Sequence, residues 1–286
     1  SALSEHIESA GVHSGDATLV IPPQRLPFDV MKMARETAAI MAKSLNITGP
    51  FNIQMLAKNH QIKVIECNLR ASRSFPFVSK ALGVNFIREA TRLMLGENHL
   101  SVVPPNLMDL EYVVVKAPQF SFSRIKGADP KSGVEMASTG EVACFGRDTE
   151  EALLKSLLAT GFKFPTRGVL VMADSLHARF DLSYEISLLK GLGYEVYSSQ
   201  KIKDVTVVPN AEKIMREGKV DLVLAIANVP GAKVQEEVFR ARRLGVDLGI
   251  PVVSDLWVAK RFVGALEKYR LSDLSIQPWF AYLSTH

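Results

Sequence analysis

Cysteine is nearly absent, with two residues, Cys67 and Cys144, in 286. Two thiols are too few for a disulfide framework or a tetrahedral zinc site, and each sits in an apolar run like a small core residue. A reducing compartment follows from that usage. No run approaches the roughly 20 apolar residues of a membrane span. Ser1-Ala-Leu-Ser-Glu-His6 also lacks the charged and apolar regions of a signal peptide, so neither a membrane partner nor export is expected. Charge of one sign is concentrated nowhere: 34 Lys and Arg against 30 Asp and Glu are spread along the chain, without the basic clustering of a nucleic-acid binder. Internal repeats and low-complexity tracts are missing too. Apolar content, by contrast, is ample at 47%, enough for the cores of one large or two ordinary domains.

Two rhythms divide the chain. Up to about residue 160, short apolar runs (52–56, 62–68, 112–118) alternate with helical stretches at 29–44 and 80–97, which predicts mixed α+β structure. Another helix is expected over 150–159, with Gly161 as its C-cap. From about residue 166, strands at 168–173, 195–198, 220–225 and 251–254 alternate with helices at 180–191, 235–248 and 257–269. That alternation predicts a doubly wound parallel sheet, α/β in class, with the boundary in 160–168.

The segment from Asn52 to Asn68 holds two alternating runs around a polar turn near Asn59-His60, the pattern of a β-hairpin. A turn centred on His60 sets Gln54 opposite Glu66 and Asn52 opposite Asn68, with facing Cβ atoms about 5 Å apart. All four then project from one face at the open end. One carboxylate and three amides supply hard oxygens and no soft ligand, which suits Mg²⁺ or Mn²⁺ shared with phosphates and disfavours zinc. A solvated sheet face has the same composition. The next residues are less easily explained that way: Arg70 and Arg73 place two guanidinium forks directly after these oxygens, the layout expected where a phosphoryl group is transferred. Upstream, Glu8-Ser-Ala-Gly-Val-His-Ser-Gly-Asp16 reads either as a tight loop able to contact a nucleotide or as an ordinary turn.

Four ordered stretches, Glu5-His-Ile-Glu-Ser-Ala-Gly-Val-His-Ser-Gly-Asp16, Gly49-Pro-Phe-Asn-Ile-Gln54, Val64-Ile-Glu-Cys-Asn-Leu-Arg-Ala-Ser-Arg-Ser-Phe-Pro-Phe-Val-Ser-Lys80 and Glu135-Met-Ala-Ser-Thr-Gly-Glu-Val142, together resemble the large subunit of carbamoyl-phosphate synthetase, in wording closest to its eukaryotic forms. The resemblance implies that residues 1–164 are the C-terminal part of the carbamate-phosphorylating ATP-grasp unit. Residues 165–286 are then similar to the family's regulatory, methylglyoxal synthase-like domain. It implies ATP with Mg²⁺ or Mn²⁺, and K⁺ by the same likeness. Gln54, Glu66 and Asn68 would be metal ligands, Gln54 and Glu66 also lying at the nucleotide. Arg70 and Arg73 would face the transferred phosphoryl, and Gly11, Val12, His13 and Ser14 would match the nucleotide-contacting loop. In bacterial members Glu8, Asp16 and Glu135 match positions that receive a cationic activator.

For the second half the resemblance implies a small anionic effector, a pyrimidine nucleotide or N-acetylglutamate, at the carboxyl ends of the strands. Ser199 and Asn228 match single positions of the family's effector loops, and Lys201, Lys203 and Thr206 read more readily as a solvated charged loop than as groups that serve an anion. The 199–208 link is about a dozen residues shorter than the family's. His177 and Arg179 are further candidates there, each equally an ordinary surface residue, and Trp257 reads as core. Partners implied are the earlier synthetase halves and a glutamine amidotransferase, in the cytoplasm or the mitochondrial matrix, and the piece alone is expected to be inactive. Two other readings are a regulatory module with a structural ATP-grasp remnant and another ATP-grasp ligase, such as a biotin-dependent carboxylase. The regulatory-type second half and the Ser-Arg-Ser-Phe-Pro-Phe run argue against the latter.

Overall fold

The computed structural model describes residues 1–97, 105–173, 175–226 and 234–283. In the first half the elements run β1 (Glu5–His6), β2 (Leu19–Ile21), α1 (Phe28–Ser44), the hairpin strands β3 (Asn52–Lys58) and β4 (Gln61–Asn68), α2 (Phe75–Leu82), α3 (Phe86–Met94), β5 (Val113–Gln119), β6 (Gly140–Gly146) and α4 (Thr149–Ala159). An antiparallel sheet in the order β1-β2-β5-β6 forms its core. Alternate residues face opposite ways. Leu19, Ile21 and Val114 pack with Phe77, Ala81 and Leu82 of α2, while Val20, Val113 and Val115 pack on Ala152 and Leu153 of α4.

The single helix expected over 80–97 is two. Gly83 enters the left-handed region at φ +66° and ends α2, and the Asn85 side chain accepts from Arg88 N at 3.0 Å to start α3. Gly161, at φ +82°, does follow α4 as a left-handed cap.

The second half holds β7 (Gly168–Ala173), α5 (Leu176–Asp181), α6 (Ser183–Gly191), β8 (Glu195–Ser198), β9 (Thr206–Val207), α7 (Ala211–Arg216), β10 (Leu222–Ile226), α8 (Val234–Asp247), β11 (Val252–Val253), α9 (Leu256–Lys268) and α10 (Trp279–Leu283). Its sheet is parallel throughout, in the order β11-β10-β7-β8-β9. Val169, Val171 and Ala173 face α6 and α9, and Leu170 and Met172 face α7 and α8, so both faces are covered. The helix read over 180–191 starts earlier, where the Ser175 hydroxyl caps Ala178 N at 3.1 Å, and breaks after Asp181. Only residues 199–205 separate β8 from its parallel neighbour β9, where parallel crossovers ordinarily take a dozen or more. The link is therefore too short for a packed helix.

The two sheets share α4, whose Leu154 enters the core formed with Ala259 and Phe262 of α9. Farther along, α10 returns to the first sheet: Tyr282 stacks on Phe145, centroids 5.2 Å apart, and its hydroxyl accepts from Lys155 Nζ at 3.1 Å. Arg242 of α8 forks onto both carboxylate oxygens of Asp129 at 2.7 and 2.6 Å, and Arg243 Nη1 donates to the carbonyls of Phe122, Ile125 and Ala128, each at 3.1 Å. Trp257, expected in the core, is 41% exposed. Its ring lies under the Arg25 guanidinium and the Lys260 ammonium, 5.6 and 5.5 Å from the centroid. Both cysteines are half-buried rather than core, and burial pushes the Cys144 thiol up.

Candidate functional site

Asn59 and His60 both take positive φ, 51° and 58°, and close the hairpin as a two-residue turn. His60 Nδ1 meets Asp29 Oδ2 at 2.7 Å, tying the turn to α1. The turn is centred between the two residues, since Lys58 pairs with Gln61, and a straight ladder from it would bring Ile65 opposite Gln54. A bulge between Gln54 and Met55 absorbs Ile65 instead. Gln54 is thereby set opposite Glu66 and Asn52 opposite Asn68, the pairing expected from a turn centred on His60. The half-residue offset and the bulge cancel.

At this open end Asn68 Nδ2 donates to Glu66 Oε1 at 2.9 Å. That bond leaves the Asn68 amide oxygen and the second Glu66 oxygen as acceptors. Among the described residues no three His, Cys, Asp or Glu side chains converge as metal ligands. A cation here would draw its oxygens from one carboxylate, neighbouring amides and a ligand's phosphates, a donor set that fits a hard ion.

β4 leads directly into the arginines. Arg70 is exposed and donates only to the neighbouring Ala71 carbonyl, at 3.2 Å, among the described residues. Arg73 Nη1 donates to Ser138 O at 3.1 Å and Ser138 Oγ at 3.2 Å. Ser138 joins the Arg73 side to the upstream loop: its hydroxyl donates to Gly15 O at 3.2 Å, and its N–H donates to Asp16 Oδ1 at 2.9 Å. Asp16, 1% exposed, also accepts from Ala137 N at 2.8 Å. Within the loop, His13 Nδ1 accepts from Gly15 N at 3.0 Å and His13 N donates to Gly133 O at 2.8 Å. Gly11 stands at φ +105°, where a side chain is strained. Ser138 thus links two clusters that lie some 60 residues apart in sequence.

Glu8 and Asp16 do not stand as free carboxylates. Both Glu8 oxygens accept from Thr18 N, at 2.9 and 2.8 Å, and Oε1 also accepts from Thr18 Oγ1 at 2.7 Å. Burial, then the nearby Asp255, push the Glu8 carboxyl up to about 7. Asp16 is spent on the backbone N–H groups of Ala137 and Ser138, and Glu135 is exposed. Sequence reasoning missed Lys116, whose Nζ donates to Ser14 O at 3.2 Å and Gly15 O at 3.0 Å. A lysine inside the apolar run Val113-Val-Val-Lys-Ala117 was the available signal.

Over 93% of its length, 292 aligned residues, the chain is 42% identical to multifunctional protein pyrABCN of Emericella nidulans. It is 41% identical to human mitochondrial carbamoyl-phosphate synthase [ammonia] over 95% of its length, and 44% identical to multifunctional protein CAD of Squalus acanthias over 93%. Residues 3–101 match the family described as carbamoyl-phosphate synthase L chain, ATP binding domain. The chain is homologous to carbamoyl-phosphate synthase. It spans only 13–20% of the length of these relatives. The biotin carboxylase domain of a single-chain bacterial carboxylase superposes on 50% of this chain and 39% of its own with a TM-score of 0.38 and 16% identity, a likeness that decides neither fold nor activity.

The match to the synthase ATP-binding domain contains Gly11 to Ser14, the hairpin, Arg70 and Arg73, and stops short of Lys116, Ser138 and the parallel sheet. Beyond the carboxyl end of β8, Ser199 Oγ and Gln200 Nε2 are buried and, among the described residues, without a hydrogen-bond partner. Gln200 Oε1 accepts from Ala173 N at 3.0 Å and so joins the ends of β7 and β8. Lys201, Lys203 and His177 are exposed, and Arg179 Nε donates to Ala173 O at 3.4 Å. Asn228 lies outside the described residues.

Proposed function

We propose that this chain is part of a carbamoyl-phosphate synthase, an ATP-dependent ligase acting on bicarbonate, ATP and glutamine or ammonia. Residues 1–164 contribute metal and phosphate ligands for carbamate phosphorylation, and 165–286 form a methylglyoxal synthase-like effector domain. The observation that carries the reading is the hairpin register, which brings Gln54, Glu66, Asn52 and Asn68 to one end directly before Arg70 and Arg73. Gln54, Glu66 and Asn68 would hold Mg²⁺ or Mn²⁺, whose chemistry when bound is to neutralise charge on the nucleotide phosphates. Arg70 and Arg73 bind the transferred phosphoryl and stabilise the charge that develops on its oxygens. Arg73 arrives oriented, with Nη1 committed to Ser138 and, among the described residues, Nε and Nη2 left for a ligand. The loop from Gly11 to Ser14 contacts the nucleotide.

Manganese paramagnetic resonance with ATP tests this: Glu66→Gln should weaken Mn²⁺–ATP binding at least ~10-fold, and equal affinity in wild type and variant would refute the assignment. The chain by itself does not phosphorylate carbamate on this reading, because the rest of the nucleotide cleft would come from earlier lobes of the same ATP-grasp unit, with the first synthetase half and an amidotransferase as further partners. Turnover of ATP and carbamate by the purified 286 residues would overturn that part.

A second reading, an effector-binding module with a structural ATP-grasp remnant, draws on Ser199 Oγ and Gln200 Nε2, which are unpartnered among the described residues. A small anion at Ser199, Lys201 and Asn228, a pyrimidine nucleotide or N-acetylglutamate, would satisfy them. Calorimetric titration separates the readings, since effector binding without any Mg²⁺–nucleotide binding favours the second. Cytoplasm or mitochondrial matrix suits both readings. The human relative's name places that protein in mitochondria, and among the described residues no helix is long and apolar enough to cross a membrane.

A further inference from the structure

Lys116 is among the largest fully buried side chains of the molecule, at 0% exposure, yet it sits on the central strand β5 rather than at a surface. A buried ammonium is costly unless each of its three N–H groups finds an oxygen. Three oxygens surround this one: Ser14 O at 3.2 Å, Gly15 O at 3.0 Å and Glu141 Oε2 at 3.6 Å. Glu141 Oε2 is itself buried, and among the described residues this 3.6 Å ion pair, longer than a hydrogen bond, is its contact with a cation. Gly15 O takes a second donor, Ser138 Oγ at 3.2 Å, so both of its lone pairs are occupied. Ser138 in turn holds Arg73. One ammonium therefore anchors the loop carrying Gly11 to Ser14 and, through Gly15 and Ser138, the seat of Arg73.

We propose that Lys116, paired with Glu141, is a positioning residue that fixes the 11–16 loop and the Arg73 guanidinium in one common arrangement. The proposal rests on the nucleotide site assigned to this chain under the proposed function. Lys116 touches no ligand in it and acts only through Gly15 and Ser138. Burial lowers the affinity of the Lys116 amine for its proton, and Glu141 and Glu8 oppose that, as expected where an ammonium is kept inside only by fixed partners.

The paired variant Lys116→Met with Glu141→Gln removes both charges at similar side-chain length, so that no lone charge is buried, and a thermal melt checks that it folds. Hydrogen exchange is read at the amides of Gly15, Asp16, Ala137 and Ser138, with Val171 and Leu224 of the parallel sheet as references. Exchange at the first four at least ~10-fold faster, with the references unchanged, is expected, and unchanged exchange at those four overturns the proposal.

Mn²⁺–ATP affinity gives the second readout. Arg73→Ala and the paired variant should each weaken it about 10-fold, and together by not much more, because both remove one seat. Losses that multiply to about 100-fold would overturn the part of the proposal that runs through Arg73. If wild type shows no Mn²⁺–ATP binding, the nucleotide reading fails, and the exchange result still decides the role of Lys116 in holding the loop.

Discussion

Replacing Glu8 with Gln should leave stability nearly unchanged in acid and raise it above neutrality. Glu8 is 7% exposed, and burial with the neighbouring Asp255 lifts its carboxyl from 4.5 to about 7. A carboxyl with a raised folded value holds its proton more tightly folded than unfolded. Its contribution is therefore fully present below about pH 4.5 and is lost as pH rises through about 7. A rise from 4.5 to about 7, at about 1.36 kcal/mol for each tenfold change in proton affinity, corresponds to about 3 kcal/mol. Gln imitates the protonated acid at every pH, keeps an oxygen for Thr18 N and removes the repulsion from Asp255. Urea unfolding of both proteins across about pH 4.5 to 8 should show a difference growing from near zero to about 3 kcal/mol in favour of Gln. The competing force is visible in the structure, since three hydrogen bonds from Thr18 favour the ionised form. A flat difference, or a less stable Gln variant at about pH 8, would show that those bonds outweigh desolvation.

Two other perturbations probe the site's support. Deleting Ile65 should be tolerated, because the bulge already excludes it from the ladder, so Gln54 still meets Glu66. Mn²⁺–ATP affinity within about 3-fold of wild type is expected, and a loss as large as that of Glu66→Gln would show that the bulge shapes the site beyond register. Arg242→Ala should cost about 2 kcal/mol in denaturant titration, below the roughly 3–5 kcal/mol for breaking a fully buried pair, because Asp129 is 38% exposed and can be solvated once alone. No measurable loss would refute a stabilising role for the contact between α8 and the 122–129 segment.

Much of the architecture was legible because it is written in local periodicity. The alternation after residue 166 reports a parallel sheet covered on both faces, and the two alternating runs of 52–68 report a hairpin. Other features had no local spacing to betray them. Gly83 and Asn85 split a helix because a cap is a matter of backbone sign rather than apolar rhythm. Trp257 looked like core from its helix position, yet it became a seat for Arg25, which is distant in the chain.

The sequence by itself determined which residues share a face of the hairpin and that two guanidinium groups follow its oxygens, since period-2 alternation and chain order need no tertiary knowledge. Only the tertiary structure decided that Arg73, Ser138, Gly15 and Lys116 form one connected set, that Glu8 and Asp16 are spent on backbone N–H groups, and that Tyr282 folds back on Phe145. The reason is physical. A buried charge or amide takes whichever partner the packing of remote segments brings within about 3 Å, and nothing in its immediate sequence records which one that will be.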